Sequence, residues 1–268
     1  MSVEIQSRSA TATRLWALDA PTFTIPDTIL MVGAPGNVVT IPAPAYLIEH
    51  ARGLVLFDTS LVPEAATDAD AVYGAGLVEM LGLKMTPAQR IDNQIKQLGF
   101  SLSDIKYVIP SHLHFDHSGG MKLFPNAQFI IMKDELRFAY WPDPAGAGFF
   151  RLQDLLDTRS YNWLELGEDF DVFGDGSLQL LHTPGHTPGE STLVVRLPHR
   201  TILLTGDTVH LRAALEGVIP MPYDSDTVAS LNSIRRVKAL RIALEAEIWI
   251  SHDPEDWAQF AHAPTALD

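Results

Sequence analysis

His112-Leu113-His114-Phe115-Asp116-His117 places three imidazoles and a carboxylate within six residues. Imidazole nitrogens suit zinc, iron and their neighbours, and a carboxylate oxygen can bind a cation or carry a proton. Donors at these spacings suit two neighbouring ions, so the stretch points to a binuclear metal site. A polar surface loop is the competing reading.

The surroundings of this stretch decide between the two. Short apolar, β-rich runs recur at 45–48, 54–57, 107–109, 128–132, 178–181, 191–195, 201–204 and 247–250, each closed by turn residues. Helical patterns fall between some of them, at 86–98, 134–140 and 227–245. This alternation predicts an α/β layered domain. Further ligand candidates follow the runs in the same way. Residues 107–109 lead into His112, 178–181 into Thr183-Pro184-Gly185-His186, 201–204 into Gly206-Asp207, and 247–250 into Ser251-His252. Strands that end at a common edge would bring these side chains together, and loops at strand ends are favoured places for sites in α/β folds. Alone, His186 passes for a structural histidine, Asp207 for a turn cap and His252 for a turn residue. Their weight lies in coming as a set.

The 268 residues carry no repeat, low-complexity tract or Ser/Gly linker, and 1–268 is read as one domain. A net charge of −14 gives no electrostatic footprint for nucleic acid or an anionic membrane surface, and a small neutral or weakly polar substrate fits it better. No cysteine is present, which excludes thiolate ligands, disulfides and a cysteine nucleophile. Residues 1–21 lack the uninterrupted apolar core of a signal peptide, and no segment has the roughly 20 apolar residues that span a bilayer, so a cytoplasmic location is expected. Two irregular excursions, 61–86 and 141–163, are candidates for pocket walls, and the apolar piece 77–83 is a candidate homodimer contact.

The ligand set resembles the metallo-β-lactamase superfamily, whose signature is a His-x-His-x-Asp-His loop followed by a distant His, a bridging Asp and a final His. The resemblance covers about 45–256. It implies an αββα sandwich, with two mixed β-sheets flanked by helices. It implies that His112, His114 and His186 hold one metal, that Asp116, His117 and His252 hold the second, and that Asp207 bridges them. Asp58 matches the superfamily's structural aspartate, expected to orient a ligand histidine. Zinc is the metal the family implies, and iron, cobalt and manganese suit the same donors.

Within that superfamily the chain looks most similar to the N-acyl-homoserine lactonases, the quorum-quenching branch. The similarity rests on residues 111–120, on Thr183-Pro184-Gly185-His186-Thr187-Pro188-Gly189 and on Ser251-His252-Asp253-Pro254. Ala43-Pro44-Ala45-Tyr46-Leu47-Ile48-Glu49 and Ser230-Leu231-Asn232-Ser233-Ile234 add less specific support. The branch implies lactone-ring opening by a hydroxide shared between the metals, with Asp116 relaying a proton to the leaving ring oxygen. Many members carry a tyrosine three residues after the bridging aspartate. Here that position is His210, whose imidazole can donate to a lactone oxygen. Met31, Val32, Phe115, Trp141, Phe149, Phe150 and Trp163 are candidate walls for an acyl chain. His50, His199 and His262 read as solvated, and His182 as a hydrogen-bonded strand residue.

Other readings remain open at this stage. A 4-pyridoxolactonase would show the same metal pattern, and a glyoxalase II-like thioesterase would share its N-terminal part but add a basic glutathione-binding segment. A nuclease is disfavoured by the acidic balance, and a common β-lactamase by the missing cysteine. A silent metal-binding sensor would be expected to have lost ligands that are all present here. A redox di-iron protein would carry Glu at the place of His114.

Overall fold

Successive side chains of a strand face opposite sides, and that alternation builds the layers of this protein. The computed structural model describes residues 11–144 and 146–268. The signal-peptide reading of residues 1–10 lies outside them. In chain order the strands are β1 (Arg14–Ala17), β2 (Thr22–Pro26), β3 (Val38–Pro42), β4 (Tyr46–His50), β5 (Gly53–Phe57), β6 (Ile105–Ile109), β7 (Gln128–Met132), β8 (Asn162–Leu166), β9 (Phe170–Asp171), β10 (Leu178–His182), β11 (Ser191–Arg196), β12 (Thr201–Leu204) and β13 (Glu247–Trp249). The helices are α1 (Ala65–Tyr73), α2 (Ala75–Leu81), α3 (Ile91–Gln97), α4 (Phe115–Ser118), α5 (Lys133–Tyr140), α6 (Leu152–Asp157), α7 (Arg212–Gly217), α8 (Thr227–Ala243) and α9 (Pro254–Gln259).

One sheet runs β1-β4-β5-β6-β7-β8, antiparallel through β5 and parallel from β5 to β8. The other runs β13-β12-β11-β10-β9, antiparallel except for the parallel pair β12 and β13. Both are mixed. Tyr46, Ile48, Val55, Phe57, Ile109, Ile130 and Met132 of the first sheet meet Leu178, Leu180, Leu193, Val195, Ile202, Leu204 and Trp249 of the second in one buried cluster. The alternate residues Leu47, Leu54, Leu56, Val108, Phe129 and Ile131 pack outward with Ile91 and Ile95 of α3 and Leu155 of α6. On the far side, Val194, Leu203 and Ile248 pack with Ile234 and Val237 of α8 and Leu215 of α7. The result is the expected helix–sheet–sheet–helix sandwich, in which each fully buried Leu, Ile, Val or Phe contributes roughly 1.5–3 kcal/mol.

The order of pairing sets the position of the site. β5 and β6 are parallel, and β10, β12 and β13 share a direction because each neighbours β11 or β12. Their C-terminal ends therefore release Asp58, His112, His186, Asp207 and His252 toward one edge of the sandwich. The strands predicted between residues 45 and 250 are present, whereas β1, β2, β3, β8 and β9 were not anticipated. The helical pattern at 86–98 resolves into a 3-10 turn at Pro87–Gln89 and α3. The excursion at 61–86 contains α1 and α2, and with the ribbon of β2 and β3 it closes a fourth apolar cluster around Phe115. Most of the apolar piece 77–83 turns toward this cluster: Leu81 and Leu83 are buried, and Met80 stays 59% exposed. Among the described residues no helix is long and apolar enough to cross a membrane.

Candidate metal centre

The stretch from His112 to His117 leaves β6 as an extended loop and then closes into the single helical turn α4. His114 is the N-cap, and its carbonyl accepts from His117 N and Ser118 N at 3.0 Å. This switch from extended to helical backbone points His112, His114, Asp116 and His117 toward one space. The turn is pressed against the loop after β5, where a Cβ at Gly119 would lie 2.4 Å from Val62 N. Only glycine permits that approach. At the other end, Asp253 follows His252 and caps α9, accepting from Glu255 N and Asp256 N at 2.9 Å. Such a cap is worth about 1 kcal/mol.

Three overlapping groups of inward donors result among the described residues, one of them Asp207, His210 and His252. The other two are a first group of His112, His114, His186 and Asp207, and a second of Asp116, His117 and His252. The Asp207 carboxylate is divided between them. Its Oδ2 lies 3.8 Å from His112 Nε2 and 3.4 Å from His186 Nε2, while its Oδ1 lies 3.3 Å from His117 Nε2 and 3.1 Å from His252 Nε2. Asp116 Oδ2 is 3.6 Å from both His117 Nε2 and His252 Nε2. Within the first group His186 Nε2 is 3.0 Å from His114 Nδ1, and within the second His117 Nε2 is 3.2 Å from His252 Nε2.

Hydrogen bonds on the outer nitrogens hold most of these rings. His117 Nδ1 is 2.9 Å from Asp58 Oδ2, the orienting role expected of Asp58. His252 Nδ1 is 2.6 Å from the Pro42 carbonyl, and His186 Nδ1 is 3.3 Å from Asp224 Oδ1. His112 Nδ1 faces both Ser111 Oγ at 3.1 Å and Glu190 Oε2 at 3.0 Å, the latter without good hydrogen-bond angles. Asp224, Glu190 and the Pro42 carbonyl were not anticipated. Glu190 directly follows the Thr183–Gly189 motif and precedes β11, so an acidic residue between motif and strand was its one available signal. A main-chain carbonyl leaves no signal at all.

The donor set fits cations. With bonds of 2.0–2.1 Å, a tetrahedral site spaces its donors about 3.3 Å apart, which the distances above bracket. Burial, reinforced by neighbouring imidazoles, pushes His112 and His114 well below the usual histidine range and keeps their lone pairs available. Burial would raise Asp207, but His252 and His117 hold it well below the carboxylate range, so it stays ionised. His117 and His252 move up: burial opposes their charge, and Asp207 together with Asp116, joined by Asp58 at His117, outweighs it. His112 Nε2 and Asp207 Oδ1 are buried without a hydrogen-bond partner, as expected of atoms that face a cation.

His210 is buried beside the centre, its Nε2 3.1 Å from Asp207 Oδ2 and its ring stacked 5.6 Å from His252. Burial lowers its pKa, so the neutral ring predominates at neutral pH. A neutral ring has one N–H, and the ionised Asp207 takes it as an acceptor.

An apolar cavity of about 450 Å³ opens over the donors, walled by Phe23, Ile25, Leu30, Phe115, Phe138, Phe149 and Tyr223. Phe115 and Phe149 are the anticipated walls that line it. The other candidates do not. Trp141 is 89% exposed, Trp163 packs on Phe129 at 4.8 Å, Phe150 lies against His114 at 4.6 Å, Met31 joins the α8 cluster and Val32 faces solvent. His182 bonds the Pro188 carbonyl at 2.9 Å as expected, and His199 is exposed. His262 is half-buried and stacked on Trp257 at 4.2 Å, and His50 is buried; neither is the solvated residue expected.

The fold and donor geometry define a class, and comparison with known proteins agrees. Residues 39–245 match the metallo-beta-lactamase superfamily, and the chain belongs to it. It is 36% identical over 230 residues to the N-acyl homoserine lactonase AttM of Rhizobium radiobacter, a match spanning 84% of this chain and 86% of that one. It is 32% identical over 223 residues to the N-acyl homoserine lactonase AiiA of Bacillus thuringiensis subsp. kurstaki, spanning 82% and 85%. A solved N-acyl homoserine lactone hydrolase, with the product N-hexanoyl-L-homoserine bound at its catalytic metal center, superposes with a TM-score of 0.84 at 27% identity, over 96% of this chain and 100% of that one.

Proposed function

We propose that this chain is a hydrolase that opens the ring of N-acyl-homoserine lactones at a two-cation centre, with zinc the first choice of metal. The observation that carries the reading is the Asp207 carboxylate, which gives one oxygen to each of two histidine groups on the floor of an apolar cavity. The lactonase relatives support the substrate class. Divalent cations in this place would bring the pKa of water from 15.7 toward 7 and polarise a carbonyl.

The residues divide the remaining work. His112, His114, His186 and Asp207 Oδ2 would hold one cation, and Asp116, His117, His252 and Asp207 Oδ1 the other. Asp116, whose side chain is 13% exposed, lines the cavity. It can take a proton from the attacking water and return it to the ring oxygen as the C–O bond breaks, leaving an alcohol and a carboxylic acid, which then loses its proton to solvent. Were Asp207 committed to a cation, the His210 N–H would be free to donate to a substrate oxygen and stabilise developing negative charge there. The walls around Phe23, Phe149 and Tyr223 receive the acyl chain and exclude water from it.

A panel of N-acyl-homoserine lactones, 4-pyridoxolactone and lactoylglutathione tests this. Hydrolysis confined to the acyl-homoserine lactones is the expected result. Activity on only one of the other compounds would replace the substrate assignment.

A further inference from the structure

Glu190 is fully buried, yet among the described residues it forms no ion pair with lysine or arginine. Its carboxylate instead spans two members of the first donor group. Oε1 accepts from Asp207 N at 3.1 Å, and Oε2 lies 3.0 Å from His112 Nδ1. Its own main chain is fixed, since Thr183 N donates to the Glu190 carbonyl at 2.9 Å. The turn before Asp207 is shaped around it. Gly206 has φ +53°, and a Cβ there would lie 2.4 Å from Glu190 Oε1 and 2.6 Å from Ser111 Cβ.

A carboxyl group buried without a cationic side chain is disfavoured by desolvation. A neutral residue of the same shape would serve packing better. The two Glu190 oxygens instead reach two members of one donor group, Asp207 N at 3.1 Å and His112 Nδ1 at 3.0 Å.

We propose that Glu190 is a positioning residue for the cation held by His112, His114, His186 and Asp207. It acts through His112, placing a carboxyl oxygen 3.0 Å from Nδ1, beside Ser111 Oγ, so that the Nε2 side of the ring faces inward, and through the Asp207 main chain, fixing the turn that presents the shared carboxylate. Partners of this kind, placed behind a ligand histidine, typically alter metal affinity or activity 10- to 100-fold. The inference rests on the two-cation reading above.

Glu190→Gln separates this role from a structural one. The amide keeps the volume and can still accept from Asp207 N, but it removes the charge and presents an NH2 group to His112 Nδ1. Parent and variant are loaded with zinc, challenged with graded chelator and assayed for retained metal, and the metal-free forms are melted in parallel. The expected result is about 10- to 100-fold weaker zinc retention with no fall in the melting temperature of the metal-free form. Equal zinc retention in the two proteins overturns the inference. So does a metal-free variant that fails to fold, or whose melting falls as far as that of the loaded form, because Glu190 would then be structural. A parent that retains no zinc at all strikes the two-cation reading itself, which keeps the two failures distinct.

Discussion

At opposite ends of β5 the protein buries two histidines against carboxylates, and they serve different ends. His50, beside the start of the strand, has Nε2 3.2 Å from Asp175 Oδ2, accepts the Arg52 N–H on Nδ1 at 3.1 Å and stacks on Phe173 at 4.0 Å. Both nitrogens and one ring face are occupied. His117, beyond the strand's other end, also has one nitrogen on a carboxylate, Asp58. Its other nitrogen faces His252, Asp207 and Asp116 within 3.6 Å. The contrast shows that a buried histidine–carboxylate pair does not mark function by itself; the surroundings of the second nitrogen do. A ring satisfied on both sides braces the fold, whereas inward nitrogens converging on ionised oxygens make a place for a cation.

The largest effects should come from breaking the inward side. Stripping the protein with a chelator should abolish lactone hydrolysis. It should also lower the melting temperature by roughly 10 °C, since cations at a thousand times their dissociation constant contribute about 4 kcal/mol. Turnover that survives complete stripping would erase the distinction drawn between His117 and His50.

Asp116→Asn comes next. Loss of a proton relay should reduce kcat by about 10²–10⁴-fold with KM changing only a few-fold, measured by steady-state kinetics on an acyl-homoserine lactone. A variant that keeps full kcat removes Asp116 from the proton-transfer role. His210→Ala should lower kcat/KM by up to about 100-fold if its N–H serves a developing oxyanion. Unchanged kinetics would leave His210 as a brace for Asp207 alone.

On the outward side the effect should fall on stability only. His50→Ala removes a stacked ring and a partner of Asp175, costing about 2 kcal/mol in denaturant unfolding, with metal content and kcat/KM unchanged. Loss of activity in a folded His50→Ala protein would mean that the two ends of β5 are coupled.

Another buried pair sharpens the contrast through pH. Burial pushes the Asp154 carboxyl up to about 6, against the pull of Arg151. An acid whose folded pKa exceeds its unfolded value, near 3.9, contributes stability that is fully present below the unfolded pKa and lost as pH rises through the folded one. Asp154→Asn avoids that loss. Parent and variant should melt alike near pH 4, and the variant should melt a few degrees higher at pH 7.5, which thermal scans at the two pH values will show.

The legible parts of this molecule were those written locally. Continuous apolar runs marked the strands that face both the sandwich interior and the helices, as in 54–57 and 128–132, and turn residues marked where those strands end. β2 and β3 were hidden because each ends in proline and carries several partly exposed residues, and β9 is only two residues long. His50 was misread because its partners Phe173 and Asp175 lie more than a hundred residues away. The cavity walls failed for the same reason. Trp141 and Phe149 sit in one aromatic segment, and only the tertiary fold sends the first to solvent and the second over the metal centre. The inward donors escaped this difficulty because their pattern is carried largely by one short loop and by the turns that follow strands.

Asp207 is proposed to join two cation groups into one hydrolytic centre. Titrating the metal-stripped protein with zinc while following hydrolysis of an acyl-homoserine lactone tests it most directly. Activity should rise until two equivalents are bound per chain and level off there; full activity at a single equivalent, or none at any loading, would contradict it.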